Sequence, residues 1–179
     1  MIDFIQTQLP QYLYALFCIL SVLCAFGVVA LKNPVASAFS LILVLLNVAG
    51  IFALQEAYFI AAVQVLVYAG AIMVLFIFVI MLLSIEFVDQ DMPENKALWL
   101  IPIGLGALFF AVISFVLTKG SPALTKGPFS ISAIEESGGN IRVVSEVMFS
   151  DYVLPFQIVG MLLSITVVGA VVLAKRKVD

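Results

Sequence analysis

Few residues in this chain can do chemistry, and most of those gather in one stretch. Ala57, Ala61, Gln64, Tyr68 and Ala71 recur at steps of four, three, four and three, which places them along one face of a helix. Small residues let a neighbouring helix come close, and the Gln64 amide and Tyr68 hydroxyl can hydrogen-bond to a partner or to water. Two readings of the face stay open. It is a helix–helix seam with two satisfied polar groups, the plainer reading, or it is the wall of a water path. Glu56 precedes the stretch, as an ordinary charge suited to the positive end of a helix or as a proton relay. Gly70 lies between Ala69 and Ala71 and weakens helical preference by roughly 1 kcal/mol relative to alanine. It serves close packing or a local irregularity such as a π-bulge.

Other chemistry is excluded by what the chain lacks. It has no histidine, so a His-based triad, a haem axial His and a His-containing zinc site are all ruled out. Cys18 and Cys24 lie six residues apart in one expected helix. They cannot pair along it, and two thiols do not make an iron–sulfur site. A net charge of -3 gives no electrostatic reason to bind nucleic acid.

The element that must position these groups is a membrane span. The chain is 64% hydrophobic and 11% charged, where a soluble domain is nearer half and a quarter. Five long charge-free gaps predict an all-α integral membrane protein of five transmembrane helices. These lie at about 12–31, 35–54, 57–85, 98–117 and 153–174, in a single membrane domain over 1–179. The third is overlong. Its 29 residues would reach roughly 43 Å, against a hydrocarbon core of about 30 Å. It must tilt, project or carry an irregularity.

Smaller features complete the expectation. The start MIDFIQTQLP has Asp3 and no Lys or Arg, which does not fit a signal peptide, so the first span is expected to be retained. Asn47, the one strongly polar group inside the second span, should face another helix. The very short turn at Gln55-Glu56 makes spans two and three antiparallel neighbours. The stretch 119–151, with TKGSP, TKGP and ESGGN, reads as one long loop between helices four and five. Its Ile141, Val143, Val144, Val147, Met148 and Phe149 are too apolar for a bare linker. Placing Lys32, Lys96, Lys175, Arg176 and Lys177 inside, and Lys119, Lys126 and Arg142 outside, gives an outward N-terminus and an inward C-terminus. No ionisable group falls mid-span and no internal repeat is evident, which argues against an independent transporter.

The stretch FIAAVQVLVYAGAIMVLFIFVIMLL, residues 59–83, closely resembles the third transmembrane helix of the J subunit of respiratory complex I, also called NADH dehydrogenase subunit 6. Lys32-Asn33-Pro34-Val35 resembles that family's start of helix two, and Phe149, Tyr152, Pro155 and Phe156 its start of helix five. The resemblance covers nearly the whole chain and is strongest at 56–83. Gln157 stands where the family often has Glu.

The resemblance implies a non-catalytic membrane-arm subunit of a proton-translocating NADH:quinone oxidoreductase in a bacterial inner membrane. FMN, the iron–sulfur clusters and quinone would lie on other subunits. Its expected partners are the lipid bilayer, the quinone-channel subunit and a small carboxylate-bearing neighbour. The resemblance also implies a π-bulge near Tyr68–Met73 that switches to regular α-helix. Ile72, Met73, Val74 and Phe76 would then gate a water path, with Glu56, Gln64, Tyr68 and Gly70 as further members.

Overall fold

The computed structural model describes residues 8–83, 100–119 and 130–175, and every regular element among them is helical. They form two compact units, one of 8–82 with 130–175 and one holding 83 and 100–119. Among the described residues four helices are long and apolar enough to cross a membrane: Leu9–Ala30, Pro34–Leu54, Tyr58–Leu82 and Val153–Ala174. The chain is therefore a multi-pass membrane protein, with these four spans within a few residues of the expected ones.

In the larger unit, α1 (Leu9–Ala30) carries Pro10 in its first turn. There a missing N–H costs nothing, so the helix starts earlier than the expected residue 12. The connection to α2 (Pro34–Leu54) is tight because Asn33 caps it. Its side-chain oxygen accepts from the N–H groups of Val35 at 2.9 Å and Ala36 at 3.4 Å, and Pro34 opens the first turn. Such a cap contributes about 1 kcal/mol. Small residues then let the two backbones meet. Ala38 and Ala49 are each only 4% exposed. A Cβ on Gly27 would stand 3.1 Å from the Ser40 hydroxyl, and one on Gly50 would stand 3.0 Å from the Phe17 ring. The Ser37 hydroxyl donates across to the Val28 carbonyl at 2.6 Å.

Asn47 is half-buried in α2. Its amide donates to the Leu43 carbonyl of its own helix at 2.8 Å. The donor is satisfied within α2, as short polar side chains in apolar surroundings often are.

The third span comprises α3 (Tyr58–Val63), a π-helical segment (Gln64–Ile72) and α4 (Met73–Leu82). All three pieces pack against α2. The expected residues 84–85 lie outside the described residues. Beyond it, the stretch expected as one long loop is folded where it is described. It holds α6 (Ile131–Glu136) and α7 (Asn140–Ser150) before α8 (Val153–Ala174). The physical reason is periodicity. Ile141, Val144 and Met148, with Val143 and Val147, recur at helical spacing. Val143, Val144, Val147 and Met148 line an apolar cleft of about 430 Å³ with Ile134, Asn140 and Tyr152. The Phe149 ring meets Phe156 edge-on, with centroids 4.9 Å apart, and so ties α7 to α8.

In the smaller unit, α5 (Leu100–Lys119) is helical over most of the expected fourth span; residues 98–99 lie outside the described residues. Its stretch Gly104–Val116 is apolar all round, as suits a helix surrounded by lipid or other helices.

A π-helical segment as the candidate functional site

The site begins at the turn between α2 and α3. The Ala57 N–H donates to the Phe52 carbonyl at 3.0 Å and the Glu56 N–H to the Ala53 carbonyl at 3.1 Å. This pair of bonds is a Schellman motif, and it requires a left-handed residue where glycine is usual. Glu56 fills that position at φ +62°. It is the described non-glycine residue with positive φ, at a conformational cost of roughly 1 kcal/mol. The structure thus gives Glu56 a backbone role that residue type alone did not reveal. Its exposed side chain lines a crevice of about 180 Å³ with Gln55, Tyr58, Glu135 and Asn140.

Ala57, at the helix's N-terminal boundary, has no side chain that can cap. The missing acceptor comes from 81 residues away: the Phe59 N–H donates to the Asn140 side-chain oxygen at 3.3 Å. Asn140 reaches it because of a second Schellman turn. The Gly139 N–H donates to the Ile134 carbonyl at 2.9 Å and the Gly138 N–H to the Glu135 carbonyl at 3.1 Å. Gly138 and Gly139 stand at φ +95° and +94°. Sequence reasoning missed Asn140; the Gly-Gly-Asn run after a helix-compatible segment was the available signal.

The π segment comes next. The Met73 N–H donates to the Tyr68 carbonyl, an i→i−5 bond in place of i→i−4. The segment overlaps the expected Tyr68–Met73 but starts at Gln64 and ends at Ile72. Gly70 suits it: a Cβ there would stand 3.2 Å from the Val65 carbonyl oxygen, five residues back. That carbonyl would have to give by a few tenths of an ångström for any side chain.

The π register changes which residues share a face. In a regular helix Ala57, Ala61, Gln64, Tyr68 and Ala71 would align. Here Ala57, Ala61 and Gln64 are half-buried, while Tyr68 is 49% exposed and Ala71 is exposed. Ala69 and Met73 are buried in their place, at 7% and 5%. One inserted residue turns the remainder of the helix by about 100°, which accounts for the exchange. Ile72, Val74 and Phe76 are exposed within the chain. The expected members therefore divide: Met73 faces the core of the unit, and Ile72, Val74 and Phe76 face away from it. Gln157 is exposed on α8.

Comparison with known proteins places the chain in a family. Residues 24–173 match the family model described as NADH-ubiquinone/plastoquinone oxidoreductase chain 6. The chain belongs to that family. It is 31% identical over 168 residues to NADH-quinone oxidoreductase subunit J of Rickettsia bellii, covering 94% of this chain and 80% of the relative. It is 38% identical over 170 residues to NAD(P)H-quinone oxidoreductase chain 6 of Synechocystis, covering 91% and 81%. The chloroplastic NAD(P)H-quinone oxidoreductase subunit 6 of Chlorokybus atmophyticus is 38% identical over 165 residues, covering 86% and 77%. The family match spans the second and third helices, the π segment and the Asn140 turn, so the site lies within the shared region.

Proposed function

We propose that this chain is a membrane-arm subunit of a proton-translocating NADH:quinone oxidoreductase, and that its third span gates a water path. The observation that carries the gating reading is the π segment at Gln64–Ile72. A π segment can convert to α-helix by a one-residue change of register, which turns one flank relative to the other by about 100°. In the π register Ala69 and Met73 lie against α2. In the α register Tyr68 and Ile72 take those positions. The wall formed by Ile72, Met73, Val74 and Phe76 is thereby rearranged, and water bridging Gln64 and Tyr68 is joined or cut.

The chain is one part of a larger machine in this reading. It contributes no mid-span carboxylate, so protons pass to carboxylates on a small neighbouring subunit, and the third span stands between that neighbour and the quinone-channel subunit. FMN, the iron–sulfur clusters and quinone reside on other chains. The helix α5 serves as a fifth span, with the N-terminus outward and the C-terminus inward in a bacterial inner membrane. The exposed apolar surfaces of α8, which among the described residues packs against α7 alone, support burial against lipid and other subunits. The NAD(P)H in two relatives' names favours a second reading on one point, a related complex fed by another donor. The third span would gate a water path in the same way there.

Native-gel migration of mildly solubilised membranes tests assembly. The 19.4 kDa chain is expected in a large complex, and a free band with no assembly would overturn the proposal. Gating is tested by Gly70→Leu, which is expected to leave an assembled complex that pumps fewer protons per electron. Wild-type pumping in that complex would leave a purely structural subunit.

A further inference from the structure

The contact between Asn140 and the start of α3 has a use beyond fold. Conversion of the π segment turns α3 relative to α4 and does not by itself decide which of them moves. The half that is held stays still. We propose that Asn140 is a positioning residue that holds α3, so that the register change is delivered to α4 and its gating side chains; this rests on the gating reading above.

Several observations converge. Asn140 is the first residue of α7, yet its side-chain oxygen accepts from Phe59 of α3 rather than capping its own helix. The bond is half-buried and spans 81 residues, so it links two segments that chain connectivity leaves independent. Its donor, the Phe59 N–H, is a first-turn group with no acceptor inside its own helix. Loss of Asn140 would free that turn to unwind or rotate. Behind Asn140 the chain is braced. The Gly138–Gly139 turn fixes where the amide points, α7 packs on both α3 and α8, and Phe149 meets Phe156. At the other end, α4 packs within the unit against α2 and the π segment, with Met73 as its one buried residue. The anchored half is therefore α3.

The test uses the intact complex in its own membrane. Asn140→Leu removes the acceptor at similar size, and Asn140→Asp keeps an acceptor oxygen. In Asn140→Leu, hydrogen exchange of the 58–61 amides is expected to rise about fivefold to tenfold. Protons pumped per electron are expected to fall by roughly half, as rotation of the wrong half comes to compete evenly. Electron transfer stays within about twofold in a positioning role. Asn140→Asp should restore both. Wild-type pumping in Asn140→Leu despite raised exchange, or an Asn140→Asp variant as uncoupled as the leucine, would overturn the proposal. If Asn140→Leu fails to assemble, Gly139→Ala takes its place with the same expectations. A Cβ there meets nothing within 4 Å, but φ +94° disfavours it and displaces the amide. Gly70→Leu separates the two ideas: if it uncouples and Asn140→Leu does not, the anchor alone fails. If both pump normally, the gating reading fails with it.

Discussion

The two halves of the third span differ in material and in how they are held. The N-terminal half mixes alanines with Gln64, Tyr68 and Gly70, and its end is fixed by a Schellman turn and by the amide of Asn140. The C-terminal half, MVLFIFVIML, is apolar throughout and buries Met73 alone within the unit. The π segment, Gln64–Ile72, ends the first half where it meets the second. A helix uniformly bulky from end to end would have no reason to change register at one place. A helix uniformly small would have no wall to move. The junction makes a register change local, and the unequal restraint gives it a direction.

The largest effect on this contrast is expected at Gly70, where glycine disfavours the α-helical alternative by roughly 1 kcal/mol relative to alanine. Any side chain also crowds the Val65 carbonyl, 3.2 Å from the added Cβ. Both effects push toward the α register. Gly70→Ala should shift the balance about fivefold, and Gly70→Leu further, because its longer side chain also fills space beside the helix. Proton-to-electron ratios should fall in that order, with electron transfer reduced at most in proportion. Equal, undiminished ratios in both would show that the two halves do not exchange registers.

How much of this was legible in the sequence varies from place to place. The four spans were, because charge-free runs leave little choice in a bilayer. The shared face was misdrawn: constant spacing aligns Tyr68 and Ala71 with Ala57, Ala61 and Gln64, whereas the π register buries Ala69 and Met73. Spacing assumes a constant period, and an inserted residue is invisible to it. The amphipathic α7 was hidden by its Gly- and Ser-rich flanks, although Ile141, Val144 and Met148 carry the period. Asn140 was out of reach, because a bond between residues 59 and 140 depends on the fold that brings them together. Glu56 was legible as a charge and illegible as the left-handed residue of a turn, since glycine is the usual signal there.

A smaller effect is expected for Tyr68→Phe. Tyr68 is 49% exposed within the chain, and its backbone carbonyl, not its hydroxyl, closes the π bond to Met73. The substitution therefore leaves the register alone and tests only the water path. A hydroxyl that orders water contributes about 1 kcal/mol, so pumping should weaken mildly, most visibly against a high opposing proton gradient. Unchanged pumping at every driving force would remove the hydroxyl from the mechanism and leave Tyr68 to its backbone.

The smallest effects are expected at Glu56, where backbone and side chain can be tested apart. Glu56→Gln keeps the left-handed strain and removes the charge. Glu56→Gly removes both, and relieving a left-handed residue stabilises a turn by about 1 kcal/mol. The side chain is exposed and makes no ion pair with a described residue, so Glu56→Gln should pump as wild type. Glu56→Gly should slow exchange of the Ala57 amide, which donates within the turn, by about fivefold. It should leave pumping unchanged or slightly tighter, because it stiffens the half that is already held. If Glu56→Gln lowered the proton-to-electron ratio while Glu56→Gly slowed exchange as expected, the carboxylate would be a relay in its own right. The N-terminal half would then carry protons as well as hold the helix.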